Sequence, residues 1–228
     1  MTETKQIEYT FHMPLHRKIQ LNIKYVFDFL ISFFGIIILS PLYLCVMILL
    51  EITMPGPVFF KQRRVGKDGK EFYILKFRSM KVDKEAEKTL DFSKDSERLT
   101  MFGRFIRRTK IDETAQLFNV ITGKMSLIGP RPTVMQQVEK YIDFQRHRLD
   151  VRPGMTGLAQ VNGNTALSWD ERIIYDVQYV QNYSFWLDIK ILCKTVLIVL
   201  FGEEKFCNKP LSSPNNTVED TTESVVLK

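Results

Sequence analysis

The sequence predicts a mixed α/β chain, mostly helical. A membrane-inserted N-terminal segment precedes a small domain with a β-hairpin and amphipathic helices lying in the membrane interface. Three observations predict this. Residues 29–50 form 22 positions without a formal charge. A Gly66-Lys67-Asp68-Gly69 turn signal separates two strand-like runs. Residues 183–201 are apolar but interrupted by Asp188, Lys190 and Lys194, which suits a helix in the interface better than one crossing it. The 228 residues suffice for a sizeable core, and 45% apolar with 25% charged residues excludes wholesale disorder. Cys45, Cys193 and Cys207 form no C-x-x-C pair, which excludes a disulfide framework and a Cys-based zinc site. The net charge of +6 suits an anionic partner: nucleic acid, phospholipid headgroups or a phosphorylated metabolite.

The membrane segment would reach roughly 33 Å as a helix, enough to cross a bilayer. The run is too long for a cleavable signal peptide, and no small-x-small site follows before Pro55. Ser40-Pro41 sits in its middle. Proline removes a backbone donor and crowds the preceding turn, so a kink or break is expected there, with halves 29–40 and 41–50 each too short to span. Arg17, Lys18 and Lys24 precede the run and Lys61, Arg63 and Arg64 follow it, so the positive-inside bias draws both ends to one side. Two readings fit: a re-entrant helix-break-helix that enters and leaves by the same leaflet, and a kinked helix that spans.

Residues 54–57, Met-Pro-Gly-Pro, form a rigid exit. The hairpin comes next, residues 58–65 against 70–80. Phe72, Ile74, Lys76 and Arg78 share one strand face at period two, and a solvated face is the simplest reading of its two cations. Residues 81–97, with four bases and six acids, read as a solvated linker or surface helix. Thr109 is expected to start a helix carrying Ile111, Ala115 and Phe118 on one side and ending near Gly123. Residues 126–132 form a stiff loop, 133–147 a helix, and 152–161 a turn with a short strand. Ser168-x-x-Glu171 is a capping box opening a helix with Ile173, Ile174, Val177 and Val180 on one side. Residues 202–228 read as a disordered tail.

Positive charge is concentrated. Residues 61–80 and 98–110 hold twelve bases against two acids, a surplus larger than that of the whole chain. Asp112 and Glu113 come directly after. In the first turn of a helix, with cations nearby, both should favour their ionised forms. An ionised carboxylate can attack phosphorus, and its neighbour can hold Mg2+, which takes oxygen ligands in phosphate company. A cap plus a surface ion pair explains an isolated Asp-Glu equally well. Gly129-Pro-Arg-Pro132 restricts the backbone around Arg131, whose guanidinium matches phosphate oxygens in a bidentate fork.

These blocks make the chain resemble the bacterial sugar transferase family, the monotopic phosphoglycosyl transferases. The resemblance rests on Lys24-x-x-x-Asp28, Ser40-Pro41, Pro55-Gly-Pro57, Leu75-Lys-Phe-Arg-Ser-Met80, Arg108-Thr-Lys-Ile-Asp-Glu113 and the run Gln116 to Pro132. Further on come Arg152 to Gly163, Trp169, Asp176, Tyr179-Val180 and Leu187 to Leu192. They follow family order over roughly residues 20–201. The resemblance implies transfer of a sugar 1-phosphate from a UDP-sugar to polyprenyl (undecaprenyl) phosphate, releasing UMP. This would be the first membrane step of an exopolysaccharide, O-antigen, capsule or glycoprotein glycan. It implies Asp112 as nucleophile, Glu113 as Mg2+ ligand, and Lys76, Arg78, Arg108, Arg131 and Arg152 at phosphate or nucleotide positions. It implies a re-entrant segment broken at Ser40 and Pro41, in the bacterial inner membrane, with the catalytic domain on the cytoplasmic face. Membrane lipid is then a partner, nucleic acid is not, and a homo-oligomer is compatible.

The domain expectation is 1–53 for the N-terminal segment and membrane helix, 54–201 for the catalytic domain and 202–228 for the tail. With 28 residues before the apolar run, the chain resembles the short form of the family. One departure is Thr114-Ala115-Gln116, where the family usually has Leu-Pro-Gln. Three alternatives compete: a non-enzymatic basic membrane adaptor, a nucleic-acid-binding module, and a Mg2+-dependent lipid-pyrophosphate hydrolase. The carboxylates inside the basic stretches count against the nucleic-acid module, because they repel a phosphate backbone.

Overall fold

The computed structural model describes residues 13–81 and 98–202. The linker expected at 82–97 and the tail from 203 lie outside them. Helix α1 runs from Leu15 to Thr53, 39 residues, and is the one helix among the described residues long and apolar enough to cross a membrane. It begins well before the uncharged run and continues through Pro41. The break expected at Ser40-Pro41 is therefore not a gap in the helix, and local chemistry explains why. Pro41 has no N–H to offer the Ile37 carbonyl, and the Ser40 hydroxyl donates to that carbonyl instead at 2.7 Å.

One face of α1 is covered both before and after Pro41. Leu21, Lys24, Asp28 and Ser32 are buried on the N-terminal side, and Tyr43, Val46 and Leu50 on the C-terminal side. The other face exposes Phe27, Ile31, Phe34, Ile38 and Ile48. At the exit, Arg78 donates to the carbonyls of Met54 and Pro55, which fixes the Pro55-Gly56-Pro57 corner.

Strand β1 (Phe59–Val65) pairs antiparallel with β2 (Glu71–Phe77), in register from Phe59 opposite Phe77 to Val65 opposite Glu71. Asp68 and Gly69 at the turn take positive φ, as the turn signal requires. The face of β2 that carries Phe72, Ile74 and Lys76 is packed on the protein, which corrects the solvated-face reading, and Phe77 is buried on the other side. Phe72 and Ile74 pack with Val120 and Met125, while Phe77 packs against Tyr43, Val46 and Leu50 of α1. Its free edge is closed by Asn119: the Leu75 N–H donates to Asn119 Oδ1 at 2.9 Å, and Asn119 Nδ2 donates to the Tyr73 carbonyl at 2.7 Å.

Helix α2 (Met101–Arg108) is capped by Thr100, whose hydroxyl accepts from the Gly103 N–H. Thr109 ends this helix and does not start the next one. Its hydroxyl donates back to the carbonyls of Phe105 and Ile106, so it is not free to cap the next turn. Lys110 takes φ 59° and reverses the chain into a 3-10 turn, Ile111–Gln116, which continues into helix α3 (Leu117–Ile121).

Strand β3 (Ser126–Ile128) then pairs in parallel with β4 (Gly154–Thr156). The two backbones meet so closely that a Cβ at Gly154 would fall on the Gly129 amide nitrogen. The helix expected over 133–147 is divided into turns at Met135–Val138 and Asp143–Arg146, because Tyr141 is buried and Ile142 takes an extended conformation. The strand expected within 152–161 is only β4, and Leu158–Val161 forms a helical turn.

Helix α4 (Trp169–Gln181) carries the expected capping box: Ser168 N–H donates to Glu171 Oε2 at 2.7 Å, and Glu171 N–H to Ser168 Oγ at 3.3 Å. Helix α5 (Phe185–Phe201) is arranged inside out. Asp188 is buried, Lys194 donates to Asn162 Oδ1 at 2.8 Å, and Thr195 bonds Thr156 at 2.8 Å. Trp186, Leu192, Val199 and Leu200 are exposed. Two of its three charges thus point inward together with Ile191, while most of its apolar side chains point outward.

The glycine contact yields a test. Gly154→Ala should cost about 3 kcal/mol, because the methyl has only backbone to displace. Gly69→Ala, in the left-handed region with nothing within 4 Å of a Cβ, should cost only about 1 kcal/mol. Thermal unfolding of the two purified variants in one detergent measures the difference, and equal losses would refute the interlock.

Candidate active site

The centre of the site is Glu113. The reversal at Lys110 turns the 3-10 segment so that Glu113 Oε1 accepts from Lys76 Nζ at 2.7 Å and from Arg131 Nη2 at 3.0 Å. Lys76 arrives from β2, Arg131 from the Gly129–Pro132 loop after β3, and Glu113 from the turn between α2 and α3. Burial works against the charged form of Glu113, but Arg131 and Lys76 outweigh it and bring the carboxyl down to about 2. Glu113 is therefore an anion at neutral pH.

Asp112 differs. It is 6% exposed, and its Oδ1 is buried without a hydrogen bond among the described residues. Burial and then the Glu113 charge push its carboxyl up, with Lys76, Arg107 and Lys110 pulling the other way. The expectation that both carboxylates are simply favoured as anions thus holds for Glu113, while burial opposes it at Asp112.

The predicted cations separate into groups. Lys76 and Arg131 meet on Glu113. Arg78 is buried, with its guanidinium on the Met54 and Pro55 carbonyls. Arg152 lies at α1, its guanidinium 4.0 Å above the Tyr25 ring and its N–H donating to Tyr25 Oη at 3.1 Å. Arg108 is exposed at the end of α2, and the hydrogen bonds that hold Glu113 do not reach it. Its neighbour Arg107 instead donates to Ser79 Oγ at 2.8 Å and acts on Asp112.

Sequence reasoning gave no role to the pair that holds the Arg131 loop. Arg148 Nη2 donates to Asp176 Oδ2 at 2.5 Å and to the Arg131 carbonyl at 2.8 Å, and Nη1 donates to Tyr141 Oη at 2.5 Å. The guanidinium also lies 5.6 Å from the Tyr141 ring centre and 5.5 Å from that of Trp169. Burial pushes Asp176 up to about 6, against the pull of Arg148. The available signal was Asp176 itself, a charge among Ile173, Val177 and Val180 that cannot be buried without a partner.

No group of three or more His, Cys, Asp or Glu suited to a metal ion occurs among the described residues. Asp112 and Glu113 nevertheless offer hard anionic oxygens, one of them buried and unpaired, and Mg2+ is commonly held by one or two carboxylates completed by substrate phosphates. The residues fit that mode of binding.

The model of the bacterial sugar transferase family matches residues 19–202. The chain is 43% identical over 181 residues to the sugar transferase EpsL of Bacillus subtilis, covering 79% of this chain and 89% of that protein. It is 42% identical over 182 residues to the UDP-glucose:undecaprenyl-phosphate glucose-1-phosphate transferase of Xanthomonas campestris, covering 76% of this chain and 38% of that one. It is 41% identical over 194 residues to the undecaprenyl-phosphate galactose phosphotransferase of Salmonella typhimurium, covering 78% and 40%. The chain thus spans well under half the length of these two transferases.

The Arg148–Asp176 pair yields a second test. Arg148→Met should cost about 3–5 kcal/mol, since it leaves Asp176 buried without its cation. Adding Asp176→Leu should recover part of that loss. Thermal unfolding reads both, and a double variant no more stable than Arg148→Met alone would refute the pairing.

Proposed function

The chain belongs to the bacterial sugar transferase family, and on that premise we propose that it transfers a sugar 1-phosphate from a UDP-sugar to polyprenyl phosphate, releasing UMP. The observation that carries the reading is a buried carboxylate with a free oxygen, Asp112, beside a carboxylate clamped by two cations. The Asp112 oxygen attacks the phosphorus bearing the sugar. The bond from that phosphorus to the bridging oxygen breaks, and UMP leaves with the electron pair. A polyprenyl phosphate oxygen then attacks the same phosphorus and frees the Asp112 carboxylate. Lys76 and Arg131 hold phosphate oxygens and offset charge on the leaving group. Bound Mg2+, held by Glu113 with Asp112 adjacent, would supply further charge neutralisation on the diphosphate. A basic membrane adaptor needs only exposed cations. The unpaired buried oxygen of Asp112 favours the enzyme.

We also propose that both ends of α1 face the cytoplasm. The domain contacts α1 on both sides of Pro41: Lys24 bonds Ser126, and Tyr43 donates to the Thr114 carbonyl at 3.1 Å. The buried stretch from Leu21 to Leu50 corresponds to about 44 Å of helix. A helix crossing a core of about 30 Å would take the domain into the bilayer with it. A re-entrant segment, its axis bent at Pro41 without loss of helical turns, instead sets the domain at headgroup depth, where a cytoplasmic UDP-sugar and a lipid phosphate meet.

A panel of UDP-sugars with Mg2+ and polyprenyl phosphate should give UMP with at least one donor. Asp112→Asn should fold and release none, and wild-type turnover by that variant would overturn the nucleophile. Excess EDTA should abolish release and Mg2+ restore it; full activity in EDTA would remove the metal from the reading. For topology, Lys18→Cys and Lys67→Cys, each in a chain with Cys45, Cys193 and Cys207 replaced by alanine, should resist an impermeant maleimide in intact cells and react after lysis. Labelling at position 18 in intact cells would return α1 to an ordinary span.

A further inference from the structure

Arg64 is a cation outside the pairings of Glu113, Asp112 and Asp176. It lies on β1 opposite Phe72, on the hairpin face that also carries Gln62, Phe72, Ile74 and Lys76. That face is packed on the core through Phe72 and Ile74, so Arg64 is held along the protein surface. Its neighbour Val65 donates its N–H to the Thr133 carbonyl at 2.7 Å, and the two residues form an isolated bridge. This bridge fastens the end of β1 to the chain two residues beyond Arg131. The guanidinium of Arg64 donates from Nη2 to Gln62 Oε1 at 2.6 Å and makes no ion pair among the described residues. A carboxamide orients a guanidinium without neutralising it. Burial, then the charge of Arg131, lowers the Arg64 pKa. Lys76 stands on the same hairpin face as Arg64, and Arg131, whose loop is tied to the end of β1 through Thr133, meets that Lys76 at Glu113 Oε1, so Glu113 is already shared between Lys76 and Arg131.

Like charges brought together and partly desolvated call for an anion between them. The site has a direction. Asp112 is next to Glu113, Glu113 Oε1 joins Lys76 to Arg131, and Arg64, opposite Phe72, stands four positions along the hairpin from Lys76, at the end where Thr133 ties the Arg131 loop to β1. A diphosphate laid along this line puts one phosphorus at Asp112 and the other at the Arg131 end. We infer that Arg64, oriented by Gln62, binds the phosphate that stays with the nucleoside and departs as UMP. This inference rests on the transferase reading of the site. It makes Arg64 a binding residue for the donor and the leaving group, with no part in binding the lipid phosphate.

The test uses the full-length protein in nanodiscs with whichever UDP-sugar the wild type turns over. Arg64→Gln should raise KM for that donor and the inhibition constant of UMP together, each by about tenfold or more, the loss of a charge-assisted hydrogen bond. It should leave kcat/KM for polyprenyl phosphate unchanged, since the lipid reacts after UMP has left. Arg64→Lys should recover part of the loss. A donor KM and UMP inhibition equal to wild type would overturn the inference, as would a change confined to the acceptor kcat/KM. A second readout needs no variant. Phenylglyoxal modification of Arg64 in the wild-type protein, followed by peptide mass spectrometry, should be slowed by UMP and not by inorganic phosphate at equal concentration. Unchanged modification in an enzyme that does release UMP overturns the Arg64 assignment alone. A wild type that releases no UMP from any donor overturns the reading beneath it.

Discussion

Lys24 carries its ammonium into the protein interior, and the groups that receive it set the arrangement of the membrane helix against the domain. Its Nζ lies 2.8 Å from Asp28 Oδ2, 2.5 Å from Ser126 Oγ and 3.6 Å from Asp188 Oδ2. Ser126 Oγ lies 2.6 Å from Asp28 Oδ2, and Tyr179 donates to Asp188 Oδ1 at 2.8 Å. Four elements meet here: α1, the start of β3, α4 and α5. A charge taken out of water is tolerable only when paired and hydrogen-bonded. Lys24 can be satisfied only if all four take these places together. Lys24, Asp28 and Ser32 of α1 and Asp188 of α5 accordingly turn inward, while Phe27, Ile31, Ile38, Trp186, Leu192 and Val199 are exposed.

The knot also reaches the chemistry. Ser126 opens β3, and the Arg131 loop comes directly after β3. That loop is held by three further contacts: the Gly129–Gly154 interlock, the Arg148 hydrogen bond to the Arg131 carbonyl, and the Val65–Thr133 bridge. Arg131 is thus fixed with respect to α1 before any substrate arrives. Lys76 is fixed separately, by a strand packed through Phe72, Ile74 and Phe77 and closed at its edge by Asn119. Glu113 joins the two frames. Such preorganisation suits a reaction in which positioning and charge stabilisation do most of the work.

The sequence made local features legible and left tertiary partnerships hidden. The hairpin turn and the capping box of α4 are short-range patterns, and each is found where it was read. The helix start at Thr109 was misplaced because a threonine hydroxyl can serve the helix before it as well as the one after it. Pro41 does not interrupt the helix, because Ser40 supplies to the Ile37 carbonyl the hydrogen bond that Pro41 withholds. Asp112, Glu113, Lys76 and Arg131 were legible as a set, and the last three meet. Arg78 and Arg152 looked alike in sequence, but one holds a helix exit and the other stacks on α1. A cation's destination depends on chain segments far away, and spacing does not report them. Asp176 and Arg148 are the clearest instance: their partnership crosses 28 positions, and only burial on an apolar helix face signals that it must exist.

In the proposed mechanism Asp112 itself takes the phosphosugar, and the lipid arrives second. The most direct measurement of this is a rapid-quench experiment on the wild-type protein in nanodiscs without polyprenyl phosphate. A covalent step gives a burst of UMP equal to one per active site, then a stop, with the mass of one phosphosugar added to the peptide containing Asp112. Adding the lipid phosphate should discharge the label into lipid product. No UMP before the lipid is added would contradict a covalent step on the enzyme. Continuous UMP release without lipid would show that water is the acceptor, and that the protein is a hydrolase.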